Sequence, residues 1–263
     1  MSVSSGELSV HAFVDVLDRL WPRELAEDWD AVGLVLGSPR AKVRKVMLVV
    51  DITLDTVNEA VAEGVDIIVS HHPLLFRPVN SLVEDEVKGH LVATLIRAGV
   101  AVFSAHTNAD AVDGGTSESL GGALGLHKMT PIAPSVTSDA GIGRVGTLSS
   151  PVRLYDLATQ LGRVVPQTAG GLKVSGDPDQ MVSRVALCTG AGDSLLDHPE
   201  VLASDVYITG DLRHHPASDA QQARQLGRGP CLIDVSHFAS EWFFLDGVRH
   251  TLQQELPDLD IRV

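Results

Sequence analysis

The stretch that decides the fold is Asp66 to Pro73, which reads DIIVSHHP. Its first half is a run of β-branched apolar residues, which is typical of a strand buried on both faces of a parallel sheet. Pro73 disfavours a helical conformation at His72, so the predicted strand ends here. Ligands tend to bind at the carboxyl ends of strands in open α/β sheets. The histidines at this strand end are therefore either ligands or an ordinary surface pair, and the rest of the chain has to decide.

The two histidines, His71 and His72, are adjacent on a chain that the following proline keeps extended. Side chains of adjacent residues in an extended chain point to opposite sides of the backbone. We therefore expect that the two imidazoles do not chelate one ion together. Each could instead supply one ligand to each of two neighbouring ions.

The residues around this stretch predict alternating strands and helices. An apolar strand is predicted at Lys45 to Asp51, and apolar residues with helical spacing follow from Leu54 until Gly64 ends that helix. Together with the DIIVSHHP strand they form a βαβ unit, whose strands should be parallel with a right-handed crossover. A helix around Val87 to Ala98 and a buried strand at Val100 to Ser104 continue the pattern. The fold class is therefore predicted to be α/β.

A second domain is predicted from a change in composition. The segment from Met129 to Gly143, MTPIAPSVTSDAGIG, is rich in Pro, Ser, Thr and Gly and is typical of a linker. Beyond it, a strand at Arg144 to Leu148 and a helix after Ser150-Pro151 begin a further α/β series. A strand is predicted at Asp205 to Thr209, and another at Cys231 to Val235.

Composition narrows the classes of function. The 263 residues carry a formal charge of −14, which argues against general nucleic-acid binding because nothing offsets phosphate repulsion. The two cysteines, Cys188 and Cys231, lie in separate apolar runs and are interpreted as buried reduced thiols. The sequence shows neither a signal-peptide pattern nor an apolar run of membrane-spanning length. We therefore expect no membrane partner and a cytoplasmic location.

Six of the eleven histidines follow the ends of predicted buried strands. Two of these strand ends also place a carboxylate four residues after a histidine, in His106/Asp110 and His237/Glu241, so that both side chains can reach one ion. Nitrogen and oxygen ligands without thiolates suit Zn, Mn, Fe or Ni, and open coordination positions suit catalysis. His214 and His215 either face the same cavity or simply begin an exposed helix, and the sequence leaves both interpretations open.

Four motifs in order, VSHHP, SAHTNADAVDGG, TGDLRHH and SHFASE, resemble the signature of the GTP cyclohydrolase 1 type 2 family. These are the Nif-three-like hexameric dinuclear-metal proteins, and the similarity covers nearly the whole chain. The resemblance implies two divalent metal ions per chain. One would be held by His72, Asp110 and Glu241, and the other by His71, His237 and Glu241, with Glu241 bridging the two.

The resemblance also bears on His106 and on the arrangement of the domains. His106 is not among the usual ligands of the family, so we interpret it either as a group that orients a metal ligand or as the catalytic proton carrier. Ligands at Asp110 and Glu241 must meet, so the C-terminal segment has to return to the first domain. We therefore predict a metal-binding domain of residues 1–128 plus 232–263, with a second α/β domain, residues 129–231, inserted into it (a Nif-three-like fold).

The function implied by the resemblance is hydrolysis of GTP at the guanine ring, with release of formate, by a homohexamer. The substrate is then a small nucleotide, and Lys88, Arg144, Arg213 and the GAG turn at Gly190 are candidate contacts for its phosphates. A non-enzymatic, metal-stabilised ring-shaped assembly or partner-binding protein is the alternative. A metal-dependent phosphoesterase is disfavoured, because the chain lacks an HxH or DxH cluster near its start.

Overall fold

The computed structural model describes residues 7–135 and 140–263, which form two compact units. The first unit ends at Ala109 and resumes at Leu245, and the second runs from Asp110 to Phe244. The helices are α1 (Val10–Leu20), α2 (Leu54–Glu63), α3 (Val87–Ala98), α4 (Thr107–Ala111), α5 (Thr116–Ala123), α6 (Leu154–Val164), α7 (Pro199–Leu202), α8 (His214–Gln225) and α9 (His237–Glu255). The strands are β1 (Gly33–Leu36), β2 (Lys45–Val49), β3 (Ile67–Ser70), β4 (Ala101–Ser104), β5 (Leu126–Thr130), β6 (Ala133–Pro134), β7 (Gly141–Ile142), β8 (Arg144–Arg153), β9 (Lys173–Ser175), β10 (Met181–Ala191), β11 (Val206–Gly210), β12 (Cys231–Val235) and β13 (Asp260–Arg262).

The sheet of the first unit has the strand order β1-β4-β3-β2-β13. Strands β13, β2, β3 and β4 are parallel, and β1 is an antiparallel edge strand. All residues of β3 and β4 are buried, as expected for strands covered on both faces. The predicted strand–helix–strand order with parallel strands β2 and β3 is confirmed. Its helix α2 is capped by the Thr53 side chain and ends at Gly64, whose φ of 66° suits a glycine.

The sheet of the second unit has the strand order β5-β8-β10-β11-β12-β9. Its parallel centre, β10-β11-β12, is flanked by antiparallel strands, so this unit is also α/β. Strand β8 extends to Arg153, so the helix predicted after Ser150-Pro151, which is α6, begins only at Leu154. Pro151 falls within the irregularity of the β8–β10 ladder between Thr147 and Val152, where a proline that cannot donate a hydrogen bond is tolerated.

The boundaries of the units differ from the predicted 1–128 plus 232–263 and 129–231. Strand β12 pairs in parallel with β11, so the chain stays with the second sheet beyond residue 231 and returns to the first unit only at Leu245. Residues 129–135 and 140–143 of the predicted linker include the end of β5 and the β6–β7 pair. Residues 136–139 lie outside the described residues. Composition did not reveal these pairings, because backbone hydrogen bonds place few demands on side-chain type.

This division assigns the predicted site residues to different units. His71, His72 and His106 belong to the first unit, and Asp110, His237 and Glu241 belong to the second. Among the described helices, none is both long and apolar enough to cross a membrane.

Candidate metal centre

Three histidines of the first unit form a cluster at the carboxyl edge of its sheet. β3 and β4 are parallel neighbours in which Ser70 pairs with Ser104, so the residues that follow both strands emerge at the same edge. The ring centroids of His71, His72 and His106 are 5.1 to 5.5 Å apart. One ligand nitrogen from each lies within 4.8 Å of the other two, so the three imidazoles could hold a metal ion.

The expectation that His71 and His72 point to opposite sides is wrong. Both residues follow the end of β3, where the alternation of an extended strand no longer applies, and their rings lie side by side with an angle of 46° between their planes. The structure also brings His106 against both rings. By geometry His106 is thus a third candidate ligand as well as a candidate proton carrier.

Each ring of this cluster is oriented by an acceptor at its Nδ1 atom. The Nδ1 of His71 lies 2.9 Å from the carbonyl oxygen of Ala105, that of His72 lies 2.8 Å from Asp51 Oδ1, and that of His106 lies 2.8 Å from Asp30 Oδ1. A carbonyl or ionised carboxylate can only accept, so each Nδ1 carries the hydrogen and donates it. In the neutral ring, Nε2 then holds the lone pair that binds a metal.

Asp30 is the most strongly held of these acceptors. Its side chain is fully buried and receives hydrogen bonds from His106, from the Thr107 hydroxyl and from the backbone N–H of Thr107. Burial alone would raise the pKa of Asp30, but these hydrogen bonds and the charge of His106 lower it to about 2. Asp30 is therefore ionised at neutral pH and keeps the His106 ring in one orientation.

The second unit supplies a histidine–carboxylate pair. His237 begins α9 directly after β12, and Glu241 lies one helical turn further on, with its Oε1 3.0 Å from His237 Nε2. The other ring nitrogen, Nδ1, lies 2.8 Å from Asp211 Oδ2. Both ring nitrogens thus lie beside carboxylate oxygens, and a metal ion would suit the pair formed by Nε2 and Glu241 Oε1.

Gly190 leaves the space that this pair occupies. It lies in the irregular end of β10, between Cys188 and Ala191, with a φ of 65°. A Cβ atom at Gly190 would overlap Glu241 Oε1 and would lie 3.2 Å from His237 Nε2. Its backbone N–H donates to the Ser240 hydroxyl at 2.9 Å. Because it has no side chain, Gly190 of the GAG turn leaves room for the His237–Glu241 pair.

Asp110 is held by a chain of hydroxyl groups in the second unit. The Thr116 hydroxyl donates to Asp110 Oδ1, and the Thr189 hydroxyl donates to Thr116 at 2.7 Å. Burial raises the pKa of the Cys188 thiol to about 12, and the charges of Asp110 and Glu241 contribute to the shift. Both carboxylates therefore lie within electrostatic reach of one thiol. Cys188 is buried and forms no disulfide, as its interpretation as a buried reduced thiol required.

The residues predicted to contact phosphates differ in their burial and in their partners. Arg144 is buried and donates to Glu118 and to four backbone carbonyl groups, so its role is structural. Lys88 is exposed on α3. Arg213 is exposed, pairs with Asp193 and lines a cleft of about 460 Å³ together with Lys173. The GAG turn continues into a single 3-10 turn rather than an α-helix, so it provides no helix N-terminus for a phosphate.

The remaining histidine pair is exposed. His214 and His215 begin α8 with their rings 5.2 Å apart, as the surface interpretation expected. Sequence reasoning did not identify Asp30, Asp51 and Asp211 as partners of the histidines. Asp51 and Asp211 could have been found, because each follows a buried strand just as the histidines do. Asp30 precedes β1 and carried no such signal.

The fold and the candidate site define a class: a two-unit α/β protein whose histidine and carboxylate clusters suit a divalent first-row metal. A family model described as Duf34/NIF3 (NGG1p interacting factor 3) matches residues 8–263. The chain is 43% identical over 232 residues to a Streptomyces coelicolor protein named GTP cyclohydrolase 1 type 2 homolog, which covers 87% of this chain and 80% of that protein. A Clostridium perfringens protein of the same name is 30% identical and covers 97% of this chain and 94% of its own length.

A solved structure agrees with this assignment. The Bacillus cereus protein related to NIF3 superposes with a TM-score of 0.88 over 98% of this chain and 97% of that one, at 22% identity, which shows the shared fold. This chain therefore belongs to the DUF34/NIF3 family, as its four motifs predicted. How the ligands are divided between two ions stays a prediction.

Proposed function

We propose that the chain is a metal-dependent hydrolase that binds two divalent ions (Zn, Mn, Fe or Ni) and opens the guanine ring of GTP with release of formate. One observation carries the proposal. Every candidate histidine ligand donates its Nδ1 hydrogen to an acceptor, which is how metal-binding imidazoles are oriented. The name shared by the relatives supports the choice of substrate.

The ligands proposed for the centre are those that the family resemblance implies. His71 and His72 come from the first unit, and Asp110, His237 and Glu241 from the second, with Glu241 as the bridge. The family motifs support this division, and the donor types support the metals named, because imidazole and carboxylate ligands suit them. When bound, the two ions would supply Lewis-acid chemistry and lower the pKa of a water molecule.

The protein itself would move the proton. His106 presents Nε2 while its Nδ1 donates to Asp30, and a ring held in this way can accept a proton at Nε2. Asp30 then stabilises the resulting imidazolium, as a buried carboxylate does for a catalytic histidine. This gives Asp30 the role of a positioning residue and His106 the role of the proton carrier.

The nature of the product tests the proposal. The metal-loaded protein is incubated with GTP, and formate, the ring-opened product and inorganic phosphate are measured in parallel. Formate with a pterin precursor supports ring opening, whereas inorganic phosphate would identify a phosphoesterase. Absence of product with both metal positions filled would contradict the hydrolase and favour a non-enzymatic ring-shaped assembly.

His106→Ala separates the proton carrier from a third metal ligand. The variant should keep the wild-type metal content and lose roughly 100-fold or more in turnover, the usual contribution of a general acid or base. His90→Ala removes an exposed histidine of the first unit and is the control. A fall in the metal content of His106→Ala would instead identify His106 as a ligand.

A further inference from the structure

Two large aromatic side chains lie exposed beside the histidine cluster. The side chains of Trp29 and Phe76 are in loops before β1 and after β3, and these residues are 59% and 42% exposed. Their ring centroids are 5.7 Å apart. Each ring also contacts His106, with centroid distances of 6.0 and 5.8 Å. The proposed proton carrier is thus bordered by two aromatic surfaces that face solvent.

The three rings are nearly perpendicular to one another. The angle between ring planes is 82° for Trp29 and Phe76, 75° for Trp29 and His106, and 87° for Phe76 and His106. A flat molecule that stacks on one of these rings therefore lies nearly perpendicular to the other two. Offset stacking and edge-to-face contact are the two arrangements that aromatic pairs prefer. The three rings can therefore make a stacking contact and an edge-to-face contact with one planar ligand.

The backbone around Trp29 is held in place. The side chain of the next residue, Asp30, is fully buried and accepts hydrogen bonds from Thr107 and His106. The backbone N–H of Glu27 donates to the Thr107 hydroxyl at 3.0 Å. A contact surface that is already ordered costs little conformational entropy when a ligand binds. The exposed tryptophan is therefore suited to a ligand.

We propose that Trp29 and Phe76 bind the purine base of a nucleotide, one ring by stacking and the other by edge-to-face contact, and hold it beside His106. The inference rests on the proposed function and deepens it by naming the residues that recognise the base. A purine has a π-face to stack, whereas ribose and phosphate have none. In a chain with a formal charge of −14, the uncharged base is also the part of a nucleotide that meets no net repulsion.

Guanosine is the probe, because it carries the base without phosphates. Its binding to the metal-loaded wild type, Trp29→Leu and Phe76→Leu is measured by calorimetry, with tripolyphosphate as the probe without a base. Loss of one aromatic contact should weaken guanosine binding about 10-fold in each variant and leave tripolyphosphate binding unchanged. Tryptophan fluorescence should change as guanosine is added to the wild type, and this change should be lost in Trp29→Leu. Tyr155→Leu is the control, since Tyr155 is also 59% exposed but belongs to the second unit.

Metal content and circular dichroism show whether each variant is folded. If Trp29→Leu does not fold, Phe76→Leu still tests the proposal. Unchanged guanosine affinity in folded variants would overturn the proposal, as would no guanosine binding by the wild type. A third outcome is that the variants form smaller assemblies than the wild type in sedimentation while their guanosine affinity is unchanged. That result would show that a second copy of the chain covers these rings, and it would also overturn the proposal. Binding is measured without turnover, so a missing formate signal would count against the hydrolase and leave this inference standing.

Discussion

At the scale of single residues, the candidate centre depends on acceptors that are distant in sequence. His72 is oriented by Asp51, 21 residues earlier, and His237 by Asp211, 26 residues earlier. His106 is oriented by Asp30, 76 residues earlier. A donated Nδ1 hydrogen selects one tautomer of each ring, and it selects the one that can use Nε2 for a metal or a proton. The aspartates are therefore as necessary to the site as the histidines.

Asp30→Asn should make the metal-free protein less stable at neutral pH, by about 2 kcal/mol in the free energy of unfolding. The folded-state pKa of Asp30, about 2, lies below its ordinary value of 3.8, so ionised Asp30 stabilises the folded chain above pH 4. That contribution is lost as the pH falls from about 4 to about 2. Urea unfolding at pH 7 and pH 3 checks this, and the difference between wild type and variant should be smaller at pH 3.

The control for this variant is Asp28→Asn, in the same loop, where the side chain is exposed. It should change the free energy of unfolding by less than about 0.5 kcal/mol at either pH. An Asp30→Asn protein as stable as the wild type at pH 7 would show that the buried carboxylate is not held as described.

Glu241→Ala should lose both metal ions, whereas His71→Ala should lose mainly one. A bridging carboxylate touches both ions, while a terminal imidazole touches one. Elemental analysis of the purified proteins measures the difference, and Glu255→Ala, at the other end of α9, is the control with unchanged metal content. Wild-type metal content in Glu241→Ala would mean that Glu241 is not the bridge.

At the scale of elements, parallel strands that end at one edge of a sheet bring the site residues together. In the first unit β3 and β4 lead to His71, His72 and His106, and in the second unit β12 leads to His237. The irregular end of β10 is equally important, because it places Gly190 against the His237–Glu241 pair. Irregular strand ends next to functional sites commonly place a group in this way.

Gly190→Ala should weaken metal binding by roughly 10-fold or more, because the added methyl group overlaps Glu241 Oε1 and displaces it. Gly227→Ala is the matched control, with a similar φ of 77° but open space around its Cβ position. Both variants carry the same backbone strain, so only the first should change metal affinity in a competition assay with a chelator. Equal effects in both would attribute the loss to strain.

At the scale of the whole molecule, we expect a homohexamer, as the family resemblance implies. Each chain carries a formal charge of −14, so association is opposed by repulsion that salt screens. Sedimentation at about 0.15 M and about 0.01 M salt should show the hexamer at the higher salt and weaker association at the lower. A stable monomer at micromolar concentration in both buffers would contradict the assembly.

The sequence by itself determined the family, the α/β class and the strand ends that carry the histidines. It could do so because these properties are local. β-branched runs, glycines after helices and the order of short motifs can be read without knowing which strands are neighbours. The stretch from Asp66 to Pro73 is an example, since its strand and the histidines after it lie where its pattern predicts.

Only the tertiary structure decided where the units divide and which groups orient the site. The boundary at Leu245 follows from the pairing of β12 with β11, and the pairs His106–Asp30 and His72–Asp51 join residues that are 76 and 21 positions apart. The same holds for Gly190, whose use is visible only when Glu241 lies beside it. Backbone pairing and contacts between distant residues depend on which strands become neighbours, and local sequence patterns do not encode that choice.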